Sequence, residues 1–112
     1  MFGSLGNMMG LLGNLGKIGK EYKQAMEELK AKRIEGRAGG EQVRAVVNGL
    51  GDLVEIKIAP ELVAGGDVEM VEDLVLAAVN SATEQAREVA QEQMAKLTES
   101  LPLGPLKGLL GQ

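Results

Sequence analysis

The sequence predicts an α+β domain in which a helix is followed by three antiparallel strands and a long second helix. Apolar residues recur at helical spacing before residue 31 and after residue 67, and they alternate with polar residues between those limits. Glycine-containing turns separate the alternating runs. We therefore expect residues 1–112 to form one small domain of the order α-β-β-β-α, since this length supports a single modest core.

The first stretch, "MFGSLGNMMGLLGNLGKIGK", carries no charge before Lys17 and has six glycines. We do not expect a signal peptide, because one would need basic residues ahead of its apolar run. We do not expect a membrane span either, because one would need about 20 mostly apolar residues. A P-loop is excluded because Leu11 and Ile18 stand where the motif needs Gly and Ser or Thr. Each interior glycine costs a helix about 1 kcal/mol. We expect residues 1–15 to be a flexible, glycine-rich lead-in.

A basic amphipathic helix is predicted from Lys17 to about Ala31. Its apolar stripe follows helical spacing and consists of Ile18, Tyr22, Ala25, Met26 and Leu29. The opposite arc holds lysines, namely Lys17, Lys20, Lys23 and Lys30. The stripe should pack inward and the lysines should face solvent.

Three strands are predicted over residues 32–38, 41–49 and 52–59. Gly39-Gly40 and Asn48-Gly49 supply hairpin turns, since both pairs tolerate positive φ. Pro60 ends the third strand because it cannot donate to a sheet. The side chains expected to face the core are Ile34, Gly36, Val43, Ala45, Val47, Val54, Ile56 and Ile58.

The second helix is predicted over residues 67–98, with Asp67 as its N-cap. Its apolar stripe comprises Val71, Leu74, Val75, Ala78, Ala82, Ala86, Val89 and Ala90. At about 45 Å it exceeds what a three-stranded sheet can cover, so its second half should project. Residues 99–112 follow as a flexible tail, because Pro102 and Pro105 exclude helix there. A small core with open sheet edges favours a homodimer.

Composition excludes the commonest kinds of zinc site and of acid–base catalytic site. The chain has no Cys and no His, which removes the usual zinc ligands and the commonest general base. We therefore predict that it is not an enzyme, with no catalytic residue, no metal site, no cofactor and no small-molecule substrate. Absence of Cys suits a reducing cytoplasm, and no membrane partner is expected.

The motifs "VVNG", "LVEIKIAPELV" and "EMVEDLVLAAVNSATEQA", with the Met-Phe start and the basic helix, resemble the YbaB/EbfC family of bacterial nucleoid-associated proteins. The resemblance implies a tweezer-like homodimer with projecting helices. It also implies binding of double-stranded DNA, largely through phosphates and with low sequence specificity, and a role in nucleoid organisation or gene regulation. The expected location is the cytoplasm, at the nucleoid.

The resemblance further implies that the first and last helices contact DNA. Carried over by element, the candidate DNA-binding residues are Lys17, Lys20, Lys23, Lys30, Lys32, Arg33, Arg37, Arg87 and Lys96. The chain is net −4, but residues 17–37 hold seven basic and four acidic side chains. Such a segment can neutralise phosphates and release counterions. The alternative is a dimeric protein-interaction module that does not bind DNA directly.

Overall fold

The computed structural model describes the backbone of residues 2–100 and the side chains of residue 10 and residues 12–99. Six elements follow in chain order: α1 (Phe2–Ala31), β1 (Ile34–Ala38), β2 (Val43–Val47), β3 (Leu53–Ile58), α2 (Pro60–Ala64) and α3 (Val68–Ser100). The predicted α-β-β-β-α order is confirmed, with the short α2 as an addition. The tail predicted from residue 99 lies, beyond Ser100, outside the described residues.

The three strands form an antiparallel sheet in the order β1-β2-β3. A bulge at Val46 and Val47 shifts the register of β3, so that Val47 faces Leu53 while Val46 faces Glu55. Val54 therefore has no partner in the register and is 46% exposed. The prediction that Val54 faces the core is wrong because the bulge interrupts the strict alternation on which it was based.

The loop between β2 and β3 also differs from the predicted two-residue turn. The positive φ lies at Gly51 (+88°) rather than at Asn48 or Gly49. The buried Asn48 amide organises the loop instead: its Oδ1 accepts from the N–H groups of Leu50 (2.9 Å) and Asp52 (3.0 Å). The Gly49 N–H donates to the Leu29 carbonyl at 2.7 Å, which joins this loop to the last turns of α1.

The core lies between the inner face of the sheet and α3. Val43, Ala45 and Val47 of β2 are fully buried, and they pack with alanines of α3, namely Ala78, Ala82 and Ala86. Gly36 of β1 lies so close to α3 that a Cβ there would collide with the Ala78 carbonyl oxygen and the Ala82 nitrogen. Small residues on both elements thus set the short distance between sheet and helix.

The first helix begins at Phe2, much earlier than the predicted start at Lys17. Extending an existing helix avoids the cost of nucleation, so a glycine-rich segment can continue from the apolar, well-anchored part of α1. The flexibility expected of residues 1–15 is a separate matter and stays a prediction.

The two long helices run antiparallel beyond the sheet. Leu29 of α1 lines a groove with Ala86 and Ala90 of α3, whereas Ala25, nearer the start of α1, lies beside Leu97. The radius of gyration is 21.5 Å, compared with about 13 Å expected for a compact domain of this length. The projecting helices therefore leave much of their surface outside the core.

Candidate nucleic-acid interface

Four lysines of α1 form the surface that we call the lysine strip: Lys17, Lys20, Lys23 and Lys30. All four are exposed. They extend over about 20 Å of helix, since each residue adds about 1.5 Å. Among the side chains that the structure describes, none of the four forms an ion pair. Their ammonium groups are free to meet an anionic partner.

Acidic residues of α1 are unevenly placed around this strip. Glu27 is exposed, and helical spacing places it between Lys23 and Lys30. Glu21 and Glu28 instead line a hollow between α1 and α3, where Glu28 accepts a hydrogen bond of 2.9 Å from Gln93. Because two of the three acids turn toward α3, the outer face of α1 keeps an excess of positive charge.

Lys32 and Arg33 continue the basic surface just past the end of α1. The Arg33 guanidinium donates to the carbonyl oxygens of Lys30 (3.2 Å) and Lys32 (3.0 Å). These carbonyls lie at the negative end of the helix dipole, which a cation stabilises. Arg33 thus caps α1 while its charge stays exposed near Lys30.

Arg37 lies elsewhere, on the outer face of the sheet. Its guanidinium pairs with Glu41 at 2.8 Å and with Glu35 at 3.3 Å. Across the strands it faces Arg44, which in turn faces Lys57. This row of three cations was not predicted from the sequence. Aligning the two strands across the Gly39-Gly40 turn would have paired Arg37 with Arg44.

The sheet cations are largely compensated by acids on the same face. Arg44 also pairs with Glu35 (3.4 Å), and Lys57 pairs with Glu55 (3.6 Å). The outer sheet face is therefore a mixed-charge surface, in contrast with the unpaired lysine strip.

Arg87 and Lys96 lie on α3 and are both exposed. Arg87 lines a groove beside Met26 and Leu29 of α1, whereas Lys96 lines the opposite hollow with Glu21 and Glu28. The helix that carries them has seven acidic and only two basic side chains. The structure thus groups the strip with Lys32 and Arg33 and places Arg37, Arg87 and Lys96 on other surfaces.

The rest of the described chain offers few other kinds of site. Within residues 2–100, no cluster of three acidic residues is arranged to hold a metal ion. None of the helices seen over the same range is long and apolar enough to cross a membrane.

Comparison with known proteins agrees with these features. The model of the YbaB/EbfC DNA-binding family matches residues 4–101. A nucleoid-associated protein of Caldanaerobacter subterraneus subsp. tengcongensis is 53% identical over 78 residues, 70% of each chain. Another, from Bacillus thuringiensis, is 46% identical over 103 residues, covering 92% of this chain and 94% of its own. The crystal structure of an uncharacterized Helicobacter pylori protein superposes with a TM-score of 0.71 at 27% identity, covering 79% of this chain and 92% of the other.

Proposed function

The chain belongs to the YbaB/EbfC DNA-binding family, and from this premise we propose that it binds double-stranded DNA as a homodimer through the lysine strip of α1. The relatives at 46% and 53% identity are named nucleoid-associated proteins. Membership of a DNA-binding family also agrees with the composition in indicating a binding protein rather than an enzyme. We place its activity at the bacterial nucleoid, in the cytoplasm, where it organises DNA or affects gene expression.

The observation that carries the proposal is the exposed, unpaired state of the four lysines on one helix. Duplex DNA has one charge per about 1.7 Å of axis, so a 20 Å strip can meet several phosphates. Each neutralised phosphate releases condensed counterions, which drives binding without reference to sequence. Local charge decides the contact, because residues 17–37 hold seven basic and four acidic side chains although the whole chain is net −4.

Low sequence specificity follows from the residue types in the strip. A lysine ammonium acts as a point charge on a flexible stem, so it selects a base edge less sharply than planar, bidentate groups such as Arg, Asn or Gln aimed into the major groove. The strip contains lysines alone. Its contacts are therefore made to phosphates, which fix orientation but carry little sequence information.

Dimerisation is supported by surface that a single chain leaves uncovered. Large apolar side chains near α2 and at the start of α3 are exposed: Val63, Val68, Met70 and Leu76 are 48–65% accessible. Both β1 and β3 are edge strands of the sheet. A second copy covering such surface would increase apolar burial, and two strips would then act on one duplex.

The decisive experiment is DNA binding by the triple variant Lys17→Glu, Lys20→Glu and Lys23→Glu. At about 50 mM salt we expect its affinity for a duplex, measured by gel shift or anisotropy, to fall more than tenfold because phosphate contacts are replaced by repulsion. The matched control carries Lys→Arg at the same three positions. It keeps the charge and should bind like the original chain.

Circular dichroism of both variants shows whether the fold persists, and a solution mass measurement should give twice the chain's 11.8 kDa. Unchanged affinity of the folded Glu variant would remove the strip from the interface. Absence of any DNA shift by the original chain at low salt would favour the alternative, a dimeric protein-interaction module.

A further inference from the structure

Asn48 and Gly49 form an Asn-Gly pair, the dipeptide in which a side-chain amide is most prone to deamidation. Glycine has no Cβ, so its backbone nitrogen can approach and attack the amide carbon of the residue before it. The structure needs both members of the pair. The Asn48 amide holds the loop between β2 and β3, and a Cβ on Gly49 would lie 2.6 Å from the Leu29 carbonyl oxygen. The fold therefore places a chemically labile pair where neither residue can be replaced without cost.

The folded loop restrains every group that deamidation uses. The nucleophile is the Gly49 nitrogen, whose N–H donates to the Leu29 carbonyl at 2.7 Å. Asn48 is only 4% exposed. Its Oδ1 accepts from the N–H groups of Leu50 and Asp52, and its Nδ2 donates to Asp52 Oδ2 at 3.3 Å. Attack on the Asn48 amide therefore requires the loop to release both its own amide and the carbonyl of α1.

We propose that Asn48 is a deamidation site that reacts only when the loop between β2 and β3 leaves the end of α1. In the open loop the Gly49 nitrogen gives up its proton and forms a bond to Asn48 Cγ, while the amide nitrogen takes up a proton and leaves as ammonia. One water molecule then hydrolyses the resulting succinimide at either of its carbonyl groups. The products are aspartate and isoaspartate at position 48.

The product cannot restore the closed loop. A carboxylate has no N–H to donate to Asp52, so two negative charges would face each other where Asn48 now makes a hydrogen bond of 3.3 Å. The position is almost fully buried, which adds a desolvation cost for the new charge. Isoaspartate also lengthens the backbone by one atom before Gly49. Deamidation is thus a one-way release of α1 from the loop, and this inference does not depend on DNA binding.

The rate of deamidation in the full chain tests the proposal. Peptide mass spectrometry after incubation at mildly alkaline pH measures conversion of Asn48, and a synthetic peptide of residues 43–53 gives the rate without the fold. Opening breaks four hydrogen bonds of Asn48 and Gly49, each worth a factor of about 2–12, so the chain should react at least about 100-fold more slowly than the peptide.

Hydrogen exchange of the Gly49 amide, measured under the same conditions, reports the same opening. Its protection factor should match the ratio of the two deamidation rates within about threefold. Equal rates in chain and peptide would show that the loop does not protect Asn48 and would overturn the proposal. A chain that deamidates far more slowly than Gly49 exchange predicts would overturn it too, because this opening would then not lead to the reaction.

A pair of variants tests the part played by α1. Leu29→Ala removes a buried side chain beside Gly49 and should speed deamidation more than tenfold, because the loop then opens more readily. The matched control, Leu76→Ala, removes an exposed leucine of α3 and should leave the rate unchanged. Equal rates in the two variants, with the fold shown intact by circular dichroism, would remove α1 from the mechanism. If Leu29→Ala does not fold, the comparison with Gly49 exchange in the original chain decides the question.

The consequence of the modification is tested with Asn48→Asp, which reproduces one product. We expect the Gly49 amide to exchange more than tenfold faster in this variant than in the original chain, since the carboxylate opposes closure of the loop. The matched control is Asn80→Asp, at an exposed position of α3, which should leave Gly49 exchange unchanged. Unchanged exchange in Asn48→Asp would overturn the one-way release.

Discussion

At the scale of single residues, Gly36 controls how closely the sheet approaches α3. Its Cα faces the backbone of α3 at Ala78 and Ala82, with no room for a methyl group. We expect Gly36→Ala to destabilise the fold by about 1–3 kcal/mol, because strand and helix must separate at a packed contact. Denaturant unfolding followed by circular dichroism measures this change.

The matched control for Gly36 is Gly65→Ala. Gly65 has a right-handed φ of −66°, and a Cβ there would meet its nearest atom at an ordinary 3.4 Å. Its variant should stay within about 0.5 kcal/mol of the original chain. Equal stability of the two variants would show that the strand tolerates displacement from α3.

Asn48 is the second residue whose role is specific, because its buried amide holds the loop against the end of α1. Besides accepting two backbone N–H bonds, it donates to Asp52 Oδ2 at 3.3 Å. We expect Asn48→Ala to cost about 1–3 kcal/mol, since two loop N–H groups lose their partner. Asn80→Ala, at an exposed position of α3, is the control and should be close to neutral in the same unfolding measurement. A near-neutral Asn48→Ala would mean that water replaces the amide.

At the scale of elements, the first half of α1 sets the low helix propensity of its glycines against extension from the anchored second half of the helix. A Cβ at Gly10, Gly13, Gly16 or Gly19 would meet nothing within 4 Å. The double change Gly13→Ala and Gly16→Ala should therefore stabilise this half of the helix by about 2 kcal/mol. Amide hydrogen exchange should report slower exchange over residues 10–20 and unchanged exchange in the sheet.

If exchange over residues 10–20 does not change, the segment is held by a partner rather than by its own propensity, and the predicted flexible lead-in is wrong. If it slows as expected, the glycines are what limits the order of the segment. The sheet amides serve as the internal reference in both cases, because they lie far from the substituted positions.

The elements also show which features the sequence could predict. Alternation in β2 placed Val43, Ala45 and Val47 in the core, and Asp67 was correctly identified as the N-cap, with Oδ1 accepting from the Met70 N–H at 3.0 Å. Periodicity could not predict the bulge that exposes Val54, because a bulge is selected by pairing with a neighbouring strand. It also missed α2, a helix of only five residues that starts at Pro60.

The candidate site was predictable to a similar extent. Helical spacing alone separated the lysines of α1 from its apolar stripe, and the structure finds them exposed together. The family resemblance implied that Arg37 binds DNA together with these lysines. Strand geometry instead places Arg37 beside Arg44 in an ion-paired row on the sheet. Which charges are compensated depends on cross-strand register, and this depends on contacts between distant parts of the chain.

At the scale of the whole molecule, the acidic balance and the basic strip have to be reconciled. The chain carries 16 acidic and 12 basic residues, so its distant field repels DNA. Salt screens this field beyond about 10 Å at 0.1 M, whereas strip and phosphate interact at contact distance. At very low salt the rate constant for association with DNA should therefore be lower than that of a basic protein. The affinity is set by the local contacts.

The salt dependence of affinity measures how many lysine–phosphate contacts are made and whether one lysine strip or two bind a duplex. If a dimer brings two strips of four lysines to one duplex, log K should fall against log salt with a slope of about −7, and a single strip would give about −4. Lys20→Gln removes one contact per strip, so it should reduce the slope by about 2 for a dimer and by about 1 for a monomer. The control Lys57→Gln removes a lysine that is paired with Glu55 on the sheet and should leave the slope unchanged. Anisotropy titrations of a fluorescent duplex between about 50 and 200 mM salt cover the range in which such slopes are resolved. Equal effects of Lys20→Gln and Lys57→Gln would contradict the assignment, because the sheet face and the strip would then contribute alike and an unpaired lysine would have no advantage over a compensated one.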